Sequence, residues 1–270
     1  MLRIMASSKP VGVLLREWRQ HRRLSQLELA CEAEVSTRHI SFMETSRSQP
    51  SREMILLLAE RLDLPLRARN TLLTAGGYAP VFPERALDDP DLAGADAVIQ
   101  LVLKNHEPYP AIAIDRHWNL IAANQAIAPL LCEVDSSLLT RPVNVLRLSL
   151  HPAGLAPSIL NFVEWRSHLV FRLQEQIEAT ADRTLNDLYA ELIAYPTPGK
   201  KGSHPDIRRN DLAAIAVPLR LQTTSGVISM ISTTMVFGTP LEVTLSELAI
   251  ECFFPAEEES AAILRSLTTT

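Results

Sequence analysis

Glycine is scarce in this chain of 270 residues, nine in all, and aromatic side chains make up only 5%. Nine glycines and 18 prolines argue against a fibrous or wholly disordered chain. Cysteine is scarcer still. Cys31, Cys132 and Cys252 are odd in number and far apart, and no C-x-x-C pair or H-x₃₋₅-H spacing points to zinc. Their apolar neighbours Ala30, Leu131 and Phe253 lead us to expect buried structural thiols in a protein of the cell interior. No stretch approaches the roughly 18 uncharged apolar residues of a membrane span. Met1-Leu2-Arg3-Ile4-Met5 lacks the long apolar core of a signal peptide. A cytoplasmic location with no membrane partner is therefore the expectation.

Catalytic signatures are missing as well. There is no Gly-rich phosphate loop, no G-x-S-x-G elbow and no H-E-x-x-H. The histidines His21, His39, His106, His117, His151, His168 and His204 have no ligand-like spacing. An enzyme is disfavoured, no catalytic or metal-binding residue is assigned, and no cofactor is called for.

What is present is a globular composition, 47% hydrophobic and 21% charged, long enough for one large or two small domains. The net charge of −5 divides unevenly. Residues 1–76 hold 12 Lys+Arg against 8 Asp+Glu, a surplus of +4, and residues 77–270 hold 14 against 23, a deficit of −9. A small basic part and a larger acidic part imply two tasks, the first on a polyanion.

From Val11 to Gly77 the pattern is helical. Val11, Leu14, Leu15 and Trp18 mark one helix face. Ser25 with Glu28 reads as a capping box opening a second helix, Ser36 opens a third, Ser51 a fourth and Pro65 a fifth that Gly76-Gly77 ends. Tyr78 to Ala97 is rich in proline and acid and reads as a linker, followed by a helical run from Asp96 to Lys104. The expected division is residues 1–79 as a first domain, 80–106 as linker and connecting helix, and 107–270 as a second domain.

In the last part, Ala111–Ile114 and Trp118–Ala123 flank Asp115-Arg116-His117 as a hairpin, and Asn124 caps a helix running to Leu131. Phe162, Trp165, Leu169, Leu173 and Ile177 make one stripe of a helix over 159–178, and another helix covers Leu185 to Ala194. Pro196 to Ser203 reads as a loop. Strands are expected over Ile215–Leu221 and Val227–Phe237, joined by Thr224-Ser225-Gly226. A last strand runs through Leu241, Val243 and Leu245, then Leu248, Ile250 and Cys252, with a bulge near Ser246-Glu247. The fold class is α+β: five helices, then a five-stranded antiparallel sheet with flanking helices.

Ser25 to Glu44 has the spacing of a helix-turn-helix bent around Glu34-Val35-Ser36, where the small Ala30 and Ala33 allow close crossing. Ser36, Thr37, Arg38, His39 and Ser41 of the second helix suit base edges in double-stranded DNA. Gln26, at a helix N-terminus, suits a phosphate, and Arg47 and Arg52 flank the reading helix where phosphates run. Leu24-Ser25-Gln26-Leu27-Glu28-Leu29-Ala30, Val35-Ser36, Ile40-Ser41, Met43-Glu44 and Pro50-Ser51 resemble the Xre/Cro-C1 repressor family. Glu34 and Ser46 depart from it, standing where that family often has glycine. The resemblance implies that Arg19 pairs with Glu44; two separate surface charges is the other reading.

Leu72 to Pro80, Asp115 to Asn124, Asn144 to Pro152 and Phe237-Gly238-Thr239-Pro240 resemble the MmyB-like transcription regulators. That resemblance implies an Xre-type domain followed by a PAS-like ligand-binding domain, with an acyl ligand such as a fatty acid. Phe162, Trp165 and Phe171 gather on one helix. Phe162, Trp165, Arg166, His168, Leu169 and Arg172 are the candidate ligand-binding residues, the charged ones for a carboxylate. Alternatively the aromatics are plain core and the charges solvated. Ser232-Thr233-Thr234 either face a pocket or pair with a neighbouring strand. The sequence thus reads as a ligand-responsive transcription regulator acting as a homodimer. A DNA-binding protein whose second half only dimerises, and an enzyme tethered to DNA, are the rivals.

Overall fold

The computed structural model describes residues 9–198, 217–238 and 241–268, and these form two compact units. In the first, apolar residues at helical spacing, with serines at the entries of the middle three helices and prolines at those of the first and last, produce α1 (Val11–His21), α2 (Gln26–Glu32), α3 (Thr37–Glu44), α4 (Arg52–Arg61) and α5 (Leu66–Ala75). Ser25 accepts from the Glu28 N–H while the Glu28 carboxylate accepts from the Ser25 N–H, a reciprocal capping box. Ser36 and Ser51 accept in the same way from the N–H of His39 and Met54. Leu15, Leu29, Ile40, Ile55, Leu58 and Leu72 are buried together as the core. Gly12 lets α1 lie directly on α3: a Cβ there would come within 2.1 Å of the Met43 carbonyl oxygen.

Glu34 and Ser46, the two departures from glycine, take φ of 55° and 57°, the left-handed region. Each follows a helix end. The next residues, Val35 and Arg47, donate their N–H back to the Ala30 and Phe42 carbonyls, so the glycine geometry is kept without glycine. A side chain in that region costs about 1–2 kcal/mol, partly offset because glycine loosens the unfolded chain. Glu34→Gly and Ser46→Gly are each expected to stabilise by about 0.5–1 kcal/mol. Urea titration should show a raised midpoint with an unchanged slope, and a lowered midpoint would contradict this account of the two turns.

The segment after α5 is not free chain at its start. Asn70 accepts from the N–H groups of Val81 and Phe82 and donates to the Phe82 carbonyl, and the Tyr78 hydroxyl donates to the Pro50 carbonyl.

In the second unit, α6 (Ala93–Asn105) precedes β1 (Ala111–Ile114) and β2 (Leu120–Ala123). A 3₁₀ stretch (Gln125–Leu131), α7 (Val145–Leu150), α8 (Phe162–Thr180) and α9 (Arg183–Ala194) follow. The chain then forms β3 (Leu219–Thr223), β4 (Gly226–Val236), α10 (Val243–Ser246), β5 (Ala249–Pro255) and α11 (Glu258–Thr268). The sheet is antiparallel with strand order β2-β1-β5-β4-β3. Strand alternation gives it two different faces. Ala111, Ala113, Ile250 and Cys252 pack with Ile99 and Leu103 of α6. Helix α6, read from sequence as part of a connection, is therefore part of the sheet's core. Ile112, Glu251 and Phe253 look the other way.

Several expectations need correction. Leu241 to Leu245 is not strand: residues Val243–Ser246 form a helical turn and pairing begins at Ala249, so no bulge sits at Ser246-Glu247. Val243 and Leu248 are both buried, and over so few residues period two cannot be told from one helical turn. Gln125–Leu131 is 3₁₀ rather than α because Pro129 lies inside it and donates no hydrogen bond. Cys31 and Cys132 are exposed, and only Cys252 is buried, its thiol pushed up by burial and then by the neighbouring Glu251. Residues 215–216 of the expected third strand, 199–203 of the expected loop, His204, and Thr239-Pro240 lie outside the described residues.

Candidate DNA-recognition surface and ligand cavity

Helix α3 is fixed from within. Ile40, Met43 and Glu44 are buried, and Ala30 and Ala33, 2% and 4% exposed, let α2 cross close by. Arg19 of α1 donates twice to Glu44, Nε to Oε1 at 2.6 Å and a terminal nitrogen to Oε2 at 2.9 Å, and Gln26 of α2 donates to the same Oε2 at 2.8 Å. The pairing that the family resemblance implied is thus a buried, bidentate one. Opposite this anchor, Arg38 and His39 are exposed and Thr37 and Ser41 half-exposed. The Arg38 guanidinium lies 5.0 Å from the Phe42 ring centroid and that of Arg47 lies 5.8 Å from it. Among the described residues Arg38, Arg47 and Arg52 form no ion pair, which leaves three cations on and beside α3 for phosphate or base.

Two candidates are partly committed already. The Ser36 hydroxyl caps α3 by accepting from His39, so its proton and its second lone pair are what remain for a ligand. One Gln26 amide hydrogen is held by Glu44, so the amide meets a phosphate with its other hydrogen or through the helix N-terminus.

The second unit holds a partly open cavity of about 110 Å³. Its floor is the sheet face bearing Ile112, Leu219, Leu221 and Phe253. Its walls are Ile127 and Leu130 of the 3₁₀ stretch, Leu146 and Leu148 of α7, and Trp165 and Leu169 of α8. Polar groups are few: Ser149, Arg172, Ser232 and Glu251. The Trp165 indole N–H donates to the Ser149 hydroxyl at 2.9 Å. Trp118 reaches the cavity from the β1–β2 turn, where Asp115 Oδ1 accepts the N–H groups of His117 and Asn119 and holds Trp118 at φ 64°. Arg172 stacks over its ring at 5.0 Å.

Residues 95–267, well over half the chain, match the MmyB-like transcription regulator ligand-binding domain. The chain belongs to the MmyB-like transcription regulators. Residues 15–68 match a helix-turn-helix family, the region that presents Thr37 to Ser41. No curated protein matches the chain. The two matches make this MmyB-like regulator a DNA-binding transcription regulator with a ligand-binding domain. No described helix is long and apolar enough to cross a membrane.

Of the six ligand candidates in the regulator, Trp165, Leu169 and Arg172 line the cavity; Phe162, Arg166 and His168 do not. Phe162 is buried in the core. Arg166 turns to the end of α9, donating to the carbonyls of Leu192 and Ile193, where a cation suits the negative end of the helix dipole. His168 lies against the Trp165 ring, 5.6 Å between centroids, and burial followed by the charge of Arg172 pushes its pKa down. Phe171 is 56% exposed, so the aromatics do not all gather inward. Helical spacing separates these cases: Leu169 and Arg172 stand at i+4 and i+7 from Trp165, whereas Arg166 and Phe171 project elsewhere. The pairing and pocket readings of Ser232-Thr233-Thr234 coexist. All three pair with β5, Ser232 lines the cavity, and Thr234 accepts from Arg172. Phe42, Trp118 and Glu251 were not foreseen as site residues. The Arg38–Phe42 spacing of i+4 is the one signal that marked any of them.

Proposed function

We propose that this regulator switches transcription in response to a small hydrophobic ligand, such as a fatty acid or a related acyl compound, and that it binds its operator in the cytoplasm as a homodimer. The observation that carries this reading is the coexistence in one chain of an outward, cation-bearing recognition helix and a partly open, apolar-lined cavity. Ser36, Thr37, Arg38, His39 and Ser41 read base edges in the major groove, and Gln26, Arg47 and Arg52 hold phosphates. Trp165, Leu169 and Arg172 contact the ligand. One helix-turn-helix reads few base pairs, so two are needed, on half-sites about 10 bp apart or a multiple of that.

The test is an operator selected from a random library, titrated with full-length protein with and without fatty acids and fatty alcohols of rising chain length. Arg38→Ala should cost about 1–3 kcal/mol and relax one base position. Affinity for the ligand should rise by about 0.8 kcal/mol per methylene until the cavity is full. Ligand must change operator affinity, and operator must change ligand affinity by the same factor. Ligand binding that is identical on and off DNA would leave no switch. Light scattering that finds only monomers, free and on DNA, would remove the homodimer.

A further inference from the structure

At the polar end of the cavity the two charged residues described, Arg172 and Glu251, neutralise each other. Arg172 of α8 donates to Glu251 Oε1 of β5 at 2.5 Å and to Thr234 Oγ1 of β4 at 3.0 Å, and the Thr234 hydroxyl donates to that same Oε1 at 2.8 Å. The sheet register explains the cluster: Ile112, Glu251 and Thr234 stand in one row across β1, β5 and β4, on the cavity face. Glu251 is 3% exposed and lines the cavity, yet its Oε2 has no hydrogen-bond partner among the described residues. The Ser232 hydroxyl, also in the lining, makes no hydrogen bond among them either. His168 is the other titratable side chain near the pair, and burial, followed by the charge of Arg172, pushes its pKa down. Cys252 faces the opposite side of the sheet, in the core with α6.

Among the described lining residues, one buried carboxylate with one cation leaves no surplus charge for a charged head group. A carboxylate anion would bring a second negative charge beside Glu251 with no second cation among the described lining residues to meet it, and an isolated charge in apolar surroundings is heavily penalised. An ammonium head would meet Arg172. A neutral donor instead meets the Glu251 oxygen that no described residue engages and that opens onto the cavity, and a head group that covers this oxygen without donating to it forfeits a hydrogen bond.

We propose that the cavity takes an apolar chain ending in an uncharged hydrogen-bond donor, a hydroxyl or a primary amide that donates to Glu251 Oε2, and that it discriminates against carboxylate anions. This rests on the reading of the cavity as the ligand site. A fatty acid then binds only as its protonated form.

The experiment compares four heads on one chain: 1-decanol, decanamide, methyl decanoate and decanoate, titrated into the full-length protein and followed by tryptophan emission, since Trp118 and Trp165 line the cavity. Decanol and decanamide should bind about ten- to a hundredfold more tightly than methyl decanoate, which accepts but cannot donate. Decanoate should be the weakest near pH 8 and gain about tenfold per pH unit down to about pH 6, while decanol stays flat. Glu251→Gln frees Arg172 from its carboxylate, so decanoate should gain at least about tenfold and overtake decanol. If that variant does not fold, the wild-type pH series decides alone. Decanoate binding near pH 8 as tightly as decanol, or without pH dependence, overturns the proposal. Methyl decanoate equal to decanol overturns the head-group assignment but leaves the cavity a ligand site. Failure of all four to bind overturns the ligand-site reading, and the head-group assignment with it.

Discussion

Glu44→Ala is expected to destabilise the helical unit by about 3–5 kcal/mol, the largest effect of any single change on its polar groups. Arg19 and Glu44 are 8% and 6% exposed, and their two hydrogen bonds are joined by those from Gln26 to Glu44 and from Arg19 to the Leu24 carbonyl at 2.7 Å. The hydrogen bonds to Glu44 hold the Arg19 guanidinium above its ordinary pKa against the opposing effect of burial. Removing the carboxylate leaves a buried cation and a stranded amide. Removing both partners, as in Arg19→Met with Glu44→Leu, removes the buried charges together and should cost far less than either single change. Urea unfolding of the two single variants and the double gives the coupling energy directly. Single variants that each cost less than about 1 kcal/mol would show the pair to behave as a surface one. The cluster joins α1, α2 and the last turn of α3, so operator affinity should fall with it, whereas Arg19→Met with Glu44→Leu tests whether the apolar contacts alone keep α3 in place.

The helical unit was legible because its signals are local. Ser25, Ser36 and Ser51 each announce a helix, and the period of Val11, Leu14, Leu15 and Trp18 holds over two turns. The Arg19–Glu44 pair is different: the residues are 25 apart in sequence, and only the family resemblance brought them together. In the sheet unit, β1, β2, β3 and β4 follow from hydrophobic runs separated by turns. The turn at Val243–Ser246 does not, because both of its apolar residues suit either state. The cavity's polar end was hidden for a physical reason. Glu251 lies between Ile250 and Cys252, which alternation assigns to the core face, so a carboxylate between them reads as solvent-facing. A sheet covered on both faces defeats that inference, and Glu251 is instead buried beneath α8. Arg166 and Arg172 look alike as types, and only their angles on the helix set them apart.

Trp165→Ala is expected to cost about 3–5 kcal/mol, since a large buried side chain is replaced by a void. Trp165 is 4% exposed, and its indole N–H is the partner of the Ser149 hydroxyl in the cavity wall. Trp165→Phe separates the two contributions: most of the ring volume stays, the hydroxyl loses its donor, and the cost should fall to about 1–3 kcal/mol. Because Trp165 itself lines the existing cavity, the void left by alanine opens into it rather than forming a sealed hole. Added indole should then occupy that space and stabilise the alanine variant by mass action, raising its melting temperature while leaving the wild type almost unmoved. Equal shifts in the two proteins would mean that indole binds elsewhere, and an unchanged melting temperature for Trp165→Ala would mean that the side chain is not packed as described. The same enlargement should change selectivity. An alkyl chain that fills the wild-type cavity will fit loosely in the variant, and a branched or longer chain should bind there in preference, because each added methylene that finds apolar contact contributes about 0.8 kcal/mol.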